Sequence, residues 1–392
     1  MKSAIKLIII YLMRLLMKIL HIFPIKENRI ICNAYRGMQY AGNPKYLSEY
    51  ISQKYSLEYE IIWAFKTPKK FAYLSDRGIK LVKYSSIKRF YYEATAKISI
   101  NNIGSFSWLP LRKGQEHVNT WHGGFGVKKC GLDESANNKI MKRTIQMSTD
   151  NTTNLISTSE EFDRDIAVKD LGFKRTTLKI GYPRNDILFK QKNGEIDLRD
   201  KVCESLGINS GSYIVLYAPT WRYNRKYKWT SIDYNSLKSI IGEKTGREVA
   251  ILYRMHHLME SNMGSERFTI DATDYPDMQE LLAVSDCLIS DYSSCIWDYS
   301  IMGKPIYLYT PDVDEYDKER GSHVRIYDWG FPVCRTNQEL FEAIMCMSSV
   351  RGGELAEKFQ TVNGSYENGL ACERFWDYIL SRNSYNAYSG EK

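Results

Sequence analysis

Two histidines and a pair of adjacent serines are the residues of this chain best suited to work on a phosphate group. In LISDYSSCIWDYSIMGKPIYLY (288–309) an apolar strand ends in a turn carrying Asp291, Ser293 and Ser294, and a second apolar strand follows at 306–309. The spacing predicts a strand–helix–strand unit whose helix, over 294–302, opens on two hydroxyls. Unpaired backbone N–H groups and aligned peptide dipoles make such a start attractive to anions, and in an open parallel sheet it lies at the carboxyl edge, where ligands bind. One serine alone would be a helix cap. Asp-Tyr-Ser-Ser followed by Pro305 and a charged loop closing on Arg320-Gly321 predicts phosphate binding.

Histidines are scarce, six in all. His122 ends a predicted strand inside Asn119-Thr120-Trp121-His122-Gly123-Gly124, where the two glycines allow backbone to approach a ligand closely. His256 closes the strand AILYRM with Arg254 two residues before it, so alternation puts Arg254 and His256 on one side and His257 on the other. Imidazoles from two domains suit phosphoryl chemistry: one is a general base on an attacking hydroxyl, the other stabilises charge or protonates the leaving phosphate. Neither has the i, i+4 partner or carboxylate neighbour of a metal pair, and no residue is assigned as a metal ligand. Asp312-x-Asp314 has the D-x-D spacing that can hold a divalent cation such as Mg, and is equally an acidic loop.

Two further runs supply polar groups. Thr220-Trp221-Arg222, after the strand-stopping Pro219, offers a hydroxyl, a stacking face and a cation, parts that suit a nucleotide with its phosphates and equally a structural turn. Gly181-Tyr182-Pro183-Arg184-Asn185-Asp186 closes another strand and is expected to aim its polar groups at a ligand cleft.

Two alternating strand–helix series must position these groups, which predicts an α/β architecture with mostly parallel sheets. Strand-like runs fall at 29–35, 60–65, 80–84, 98–102, 117–122, 154–158 and 177–182, with helical stretches such as 44–54, 87–96 and 160–171 between them. The polar run KQKNGEID (190–197) reads as an interdomain link. Strands recur at 213–218, 249–255, 268–271, 287–290 and 306–309, and a last helical stretch covers 366–381. The expected division is residues 1–26, 27–190 (the acceptor side, with His122), 191–365 (the nucleotide side) and 366–392, with a cleft between the facing carboxyl edges.

A chain of 392 residues can build two ordinary cores. Its net charge of +8 favours phosphate-rich partners, among them nucleic acid, anionic lipid and nucleotide-linked substrates. Eight scattered cysteines without a C-x-x-C pair point to reduced core thiols and away from a structural zinc site. The first residues, MKSAIKLIIIYLMRLLMKILHIFP, are apolar but interrupted by Lys2, Lys6, Arg14 and Lys18, which fall within about half of a helical circumference. The longest uncharged run is too short to span a bilayer, and no small-residue cleavage site follows. An amphipathic helix lying in the plane of an anionic membrane surface is expected, the other reading being a helix packed on its own domain.

Eight ordered blocks carry a family resemblance: NPKYL (43–47), NTWHGGFGVKKCG (119–131), GYPRNDIL (181–188), YAPTWR (217–222), YRMHH (253–257), LISDYSSCIWDYSIMGKPIYLY (288–309), DEYDKERG (314–321) and ENGLACERFWDYIL (367–380). Together they resemble the CDP-glycerol glycerophosphotransferases of teichoic acid synthesis. The resemblance implies a GT-B-like pair of Rossmann-like domains and monotopic attachment at the cytoplasmic face of a bacterial membrane. It implies transfer of a polyol phosphate from CDP-glycerol or CDP-ribitol to a lipid-linked glycan acceptor, with no required cofactor and no nucleic-acid partner. It implies that His122 and His256 are the essential pair, and that Ser293, Ser294 and Arg320 meet the donor pyrophosphate; Thr220, Trp221, Arg222, Arg254 and Asp291 are expected beside the donor from their own chemistry. Gly123, Gly124, Lys128, Arg184, Asn185 and Asp186 fall on the acceptor side or the cleft. Where the family often has Thr-Pro after Trp-His-Gly, this chain has Gly124-Phe125, and His257 replaces a common proline; both changes bear on which acceptor and polyol are used.

Two rivals remain open on sequence. A GT-B glycosyltransferase using a nucleotide sugar would need the same fold and pyrophosphate site. A basic, non-enzymatic binder of anionic polymer or nucleic acid would explain the charge but not the two histidines.

Overall fold

The computed structural model describes residues 2–55, 58–126, 128–134, 138–220, 231–255, 269–320 and 323–388. The chain forms two compact units, one of Met1–Gly124, Cys130–Asp186 and Tyr366–Lys392, the other of Phe125–Lys129 and Ile187–Ser365. The polar run 190–197 is therefore not the link: it begins inside the helix Asp186–Lys192, and the chain passes between units at Asp186 and Ile187. The last helix, Ala371–Tyr388, belongs to the first unit.

The first unit holds a seven-stranded sheet of β1 (Lys26–Asn33), β2 (Glu60–Phe65), β3 (Lys80–Lys83), β4 (Ala96–Asn101), β5 (Glu116–Asn119), β6 (Asn154–Ser157) and β7 (Leu178–Lys179), ordered β3-β2-β1-β4-β5-β6-β7. Every pairing is parallel. Such a sheet is covered on both faces, so its strands are near-continuous apolar runs, and Ile30, Ile31, Ile62, Trp63, Ala64, Ile98, Ile100 and Val118 are all buried. The strand order reverses between β1 and β4, the switch point at whose carboxyl edge α/β sheets bind ligands.

The second unit repeats the plan. Strands β8 (Tyr213–Ala218), β9 (Val249–Tyr253), β10 (Ile270–Asp271), β11 (Cys287–Ser290), β12 (Ile306–Tyr309) and β13 (Val333–Cys334) are ordered β10-β9-β8-β11-β12-β13, with the switch point between β8 and β11. These pairings are also all parallel. Two residues of β13 are too short for an apolar period to show, and the sequence did not disclose it. Phe125 is seated in this unit's aromatic core, its ring 4.9 Å from that of Phe359, 5.4 Å from Trp329 and 6.1 Å from Trp297.

Helices of the first unit include α1 (Lys2–Leu20), α2 (Gly42–Lys54) and α3 (Ile87–Thr95). α1 packs against α3 and the helix Lys139–Asp150, burying Met17 against Ala94, Phe106 and Leu109. Arg14 turns inward to donate to the Ser107 carbonyl at 2.9 Å. On the outward side Ile5, Ile8, Ile9, Leu12, Leu15 and Ile19 are each more than half exposed. That inverts the usual arrangement of a surface helix, which turns its polar side to water. No helix among the described residues is long and apolar enough to cross a membrane.

Candidate active site

β5 delivers the chain to a turn, Thr120–Gly124, at the carboxyl edge of the first sheet, one strand away from the switch point. Five consecutive carbonyls of this turn are each bound by a side chain. Asn43 Nδ2 donates to the carbonyls of Thr120 and Trp121 at 3.0 and 3.3 Å. Arg184 Nη1 donates to His122 O at 2.7 Å, the Tyr182 hydroxyl to Gly123 O at 2.9 Å, and Thr158 Oγ1 to Gly124 O at 2.7 Å. The Trp121 N–H is taken by Asn119 Oδ1 at 2.9 Å. Backbone polar groups withdrawn from water must find partners, and here side chains from several elements supply them.

The half-buried His122 ring places Nδ1 3.0 Å from the Asn102 carbonyl. A carbonyl can only accept, so Nδ1 carries a proton, and in the neutral ring Nε2 carries the lone pair, the tautomer a general base needs. Asn102 also accepts the Tyr35 N–H on Oδ1 at 2.9 Å, so one residue sets both the β1 loop and the imidazole. The rings of Tyr35 and Trp121 flank His122 at centroid distances of 6.2 and 4.7 Å.

Among the described residues, the non-glycine positions with positive φ are Tyr35 (48°), Arg36 (57°) and Trp121 (50°). Two of them flank His122 and the third adjoins Tyr35. Left-handed backbone is costly for such residues and collects where function demands a fixed geometry. The left-handed residue of the His122 turn is thus Trp121, and neither Gly123 nor Gly124 takes a positive φ.

Arg184, Asn185 and Asp186, expected from sequence to aim their polar groups at a ligand cleft, are 5%, 0% and 8% exposed and bond groups of their own unit. Arg184 serves the His122 carbonyl. Asn185 Nδ2 donates to Glu367 at 2.9 Å, and the Asp186 carboxylate accepts the N–H groups of Ala371 and Cys372 at 2.9 and 2.8 Å, capping the last helix. For Asn185 and Asp186 the cause is the returning segment at 366–372. Glu367 also accepts the Tyr182 N–H at 3.0 Å, and Gly181 takes a left-handed conformation (φ 81°) that strains any other residue, with the Glu367 carboxylate 2.7 Å from where a Cβ would lie.

In the second unit, Thr220 and Asp291 stand at the ends of β8 and β11, on either side of the switch point. Asp291, 1% exposed, accepts the Thr220 N–H on both oxygens at 2.8 and 3.0 Å and its neighbour Tyr292's N–H at 2.6 Å. Asp291 therefore holds the turn. Ser293 and Ser294 are half-buried; Ser293 Oγ accepts the Cys295 N–H at 3.4 Å. The helix they open is Cys295–Ser300, shorter than expected. Burial pushes the Cys295 thiol up to about 11, which keeps it out of nucleophilic chemistry at neutral pH.

Arg254 Nη1 donates to the carbonyls of Tyr275 and Ala272 at 2.8 and 3.3 Å. Lys128 belongs to this unit rather than to the His122 side, its ammonium 5.5 Å from the ring centroid of Tyr316, which stacks on Tyr292 at 3.6 Å. Of the D-x-D pair, Asp312 accepts from the Tyr292 hydroxyl at 3.2 Å and Asp314 pairs with Arg335 at 2.6 Å. Trp221, Arg222, His256 and His257 lie outside the described residues. Arg320 ends the helix Val313–Arg320.

Sequence reasoning passed over Asn43, Asn102 and Glu367, and named Tyr182 only as part of the run 181–186. Asn43 and Glu367 open two of the family-like blocks, and Asn102 ends a predicted strand, but an asparagine at a strand end does not disclose which carbonyl it will serve.

A family model described as CDP-Glycerol:Poly(glycerophosphate) glycerophosphotransferase matches residues 15–381. The chain belongs to that family. Among its relatives, the teichoic acid poly(glycerol phosphate) polymerase of Bacillus spizizenii is 32% identical over 384 residues, covering 93% of this chain and 94% of its own length. The protein of the same name from Staphylococcus epidermidis is 33% identical over 379 residues, covering 91% of this chain but 51% of its own length. The structure of the wall teichoic acid polymerase TagF superimposes with a TM-score of 0.79 at 26% identity over 98% of both chains, and so does that of a TagF variant soaked with CDPG. The glycerophosphotransferase fold is α/β and GT-B-like, built here from two Rossmann-ordered parallel sheets.

Proposed function

We propose that this glycerophosphotransferase-family chain transfers glycerol phosphate, or another polyol phosphate such as ribitol phosphate, from a CDP-linked donor to a hydroxyl of a lipid-linked glycan acceptor, releasing CMP. The observation that carries the reading is the His122 imidazole, held by the Asn102 carbonyl in the tautomer that leaves Nε2 basic, in a chain of this family. Nε2 takes the proton of the acceptor hydroxyl; the acceptor oxygen bonds to the donor's β-phosphorus, and the bond from that phosphorus to the CMP oxygen breaks. His256, with Arg254 and Arg320, neutralises the transferring and leaving phosphates. Thr220, Trp221, Arg222, Ser293 and Ser294 bind the donor, with Asp291 holding their turn.

The outward apolar side of α1 supports attachment to a membrane without spanning it, on the cytoplasmic face where a nucleotide donor is available. Cations at Lys2, Lys6 and Lys18 add attraction to anionic lipid. Incubating the purified protein with CDP-glycerol, CDP-ribitol and several nucleotide sugars, and scoring the nucleotide released, tests the reading. CMP together with a new phosphodiester is expected; a nucleoside diphosphate together with a glycosidic bond would overturn it.

A further inference from the structure

The turn that carries His122 is held only in part by its own side chains, Thr120 Oγ1 donating to the Trp121 carbonyl at 3.3 Å. Trp121 sits at φ 50°, a conformation disfavoured for a bulky residue by roughly ten- to a hundredfold. Opposing that bias are donors fixed to other elements. Asn43, wholly buried in the first turn of α2, donates to the carbonyls of Thr120 and Trp121, and its Oδ1 accepts the Arg184 N–H at 3.2 Å. Arg184, 5% exposed, then reaches the next carbonyl, that of His122.

We propose that Asn43 and Arg184 are positioning residues that hold the Trp121–His122 backbone in its strained form and thereby aim Nε2 of His122. The bonds to Thr120 O and Trp121 O fix the peptide planes on both sides of the Trp121 Cα, which determines its φ and ψ. Those to Trp121 O and His122 O do the same for His122. With the backbone fixed, the ring takes the position from which Nδ1 reaches Asn102 O, and the tautomer follows. Asn43 uses both halves of its amide and Arg184 bridges β7's turn to β5's, so the two close one circuit around the turn. The proposal rests on reading His122 as the base.

The test uses the full chain with Asn43→Ala, Arg184→Gln and Trp121→Gly, singly and in pairs. Kinetics of CMP release from CDP-glycerol are measured beside ring ¹⁵N–¹H spectra of histidine-labelled protein. Asn43→Ala is expected to lower kcat about ten- to a hundredfold with KM for CDP-glycerol within about twofold, and to abolish the fixed Nδ1–H signal of His122. Glycine takes the left-handed conformation without help, so the pair Asn43→Ala with Trp121→Gly should be less impaired than the product of the two single effects. Multiplicative losses, or an unchanged His122 signal in Asn43→Ala, overturn the proposal. Should Asn43→Ala not fold, Asn43→Asp keeps the volume and the acceptor, removes the donor, and is expected to give the same pattern. Absence of CMP release by the unaltered protein would refute the proposed reaction, while the spectra would still decide the positioning claim.

Discussion

Asp291 grips the N–H of Thr220 with both carboxylate oxygens, and so joins the ends of β8 and β11 at the point where the second sheet changes direction. A buried carboxylate bonded to backbone donors contributes more than a neutral pair, about 1.5–3 kcal/mol. Asp291→Asn keeps the shape but loses the charge and, with one oxygen replaced by an amide nitrogen, turns a second donor toward the Thr220 N–H. It is expected to raise KM for CDP-glycerol about tenfold or more and to lower the unfolding midpoint in urea. An unchanged KM would remove this turn from the donor site.

Strand positions were legible from apolar runs because parallel sheets bury both faces of each strand. Ile30 and Ile31, Ile61 and Ile62, and Leu288 and Ile289 announce themselves in that way. His122 was legible because so few histidines occur and this one ends a strand. The direction in which Asn185 and Asp186 point was not, because it is decided by a segment nearly two hundred residues away, at Glu367 and Ala371, and that of the Arg184 side chain is set by the His122 carbonyl. The strain at Trp121 was hidden for a related reason: glycines at 123 and 124 suggest themselves for the unusual backbone, and only the bonds from Asn43 and Asn119 make tryptophan the residue that adopts it.

His117 gives the fold a dependence on acid. Its ring is wholly buried, stacked on Phe106 at 4.8 Å and bonded through Nδ1 to the Asn151 carbonyl at 2.9 Å. Burial drives its pKa from 6.5 down to about 4, with nearby His21 acting in the same direction. The unfolded chain therefore takes up the proton first. Stability that is complete above about pH 6.5 declines as pH falls and levels off near 4, by at most about 3 kcal/mol. Urea titrations at pH 7 and pH 5 should show the decline, and His117→Gln should flatten it; equal slopes in both proteins would exclude His117 as the cause.

The outward side of α1 can be altered without touching its packing. Ile8→Lys and Leu12→Lys lie on exposed positions, whereas Met17 is buried. Each is expected to weaken partition onto anionic phosphatidylglycerol vesicles about tenfold or more while leaving the unfolding midpoint unchanged. Binding that survives both substitutions together would place the membrane contact elsewhere.

Phe125, three residues after His122, fills the second unit's core against Phe359, Trp329 and Trp297. Phe125→Ala should destabilise that unit by about 3–5 kcal/mol, read as a lowered midpoint in denaturant, and Phe125→Leu by much less. A midpoint unmoved by the alanine change would contradict the packing described.

The most direct test of the whole account is the rate of CMP release from CDP-glycerol, with acceptor present, by the unaltered chain and by His122→Ala. A general base at this position predicts a loss of at least about a hundredfold with an unchanged unfolding midpoint. CMP release by the variant at close to the unaltered rate would contradict it.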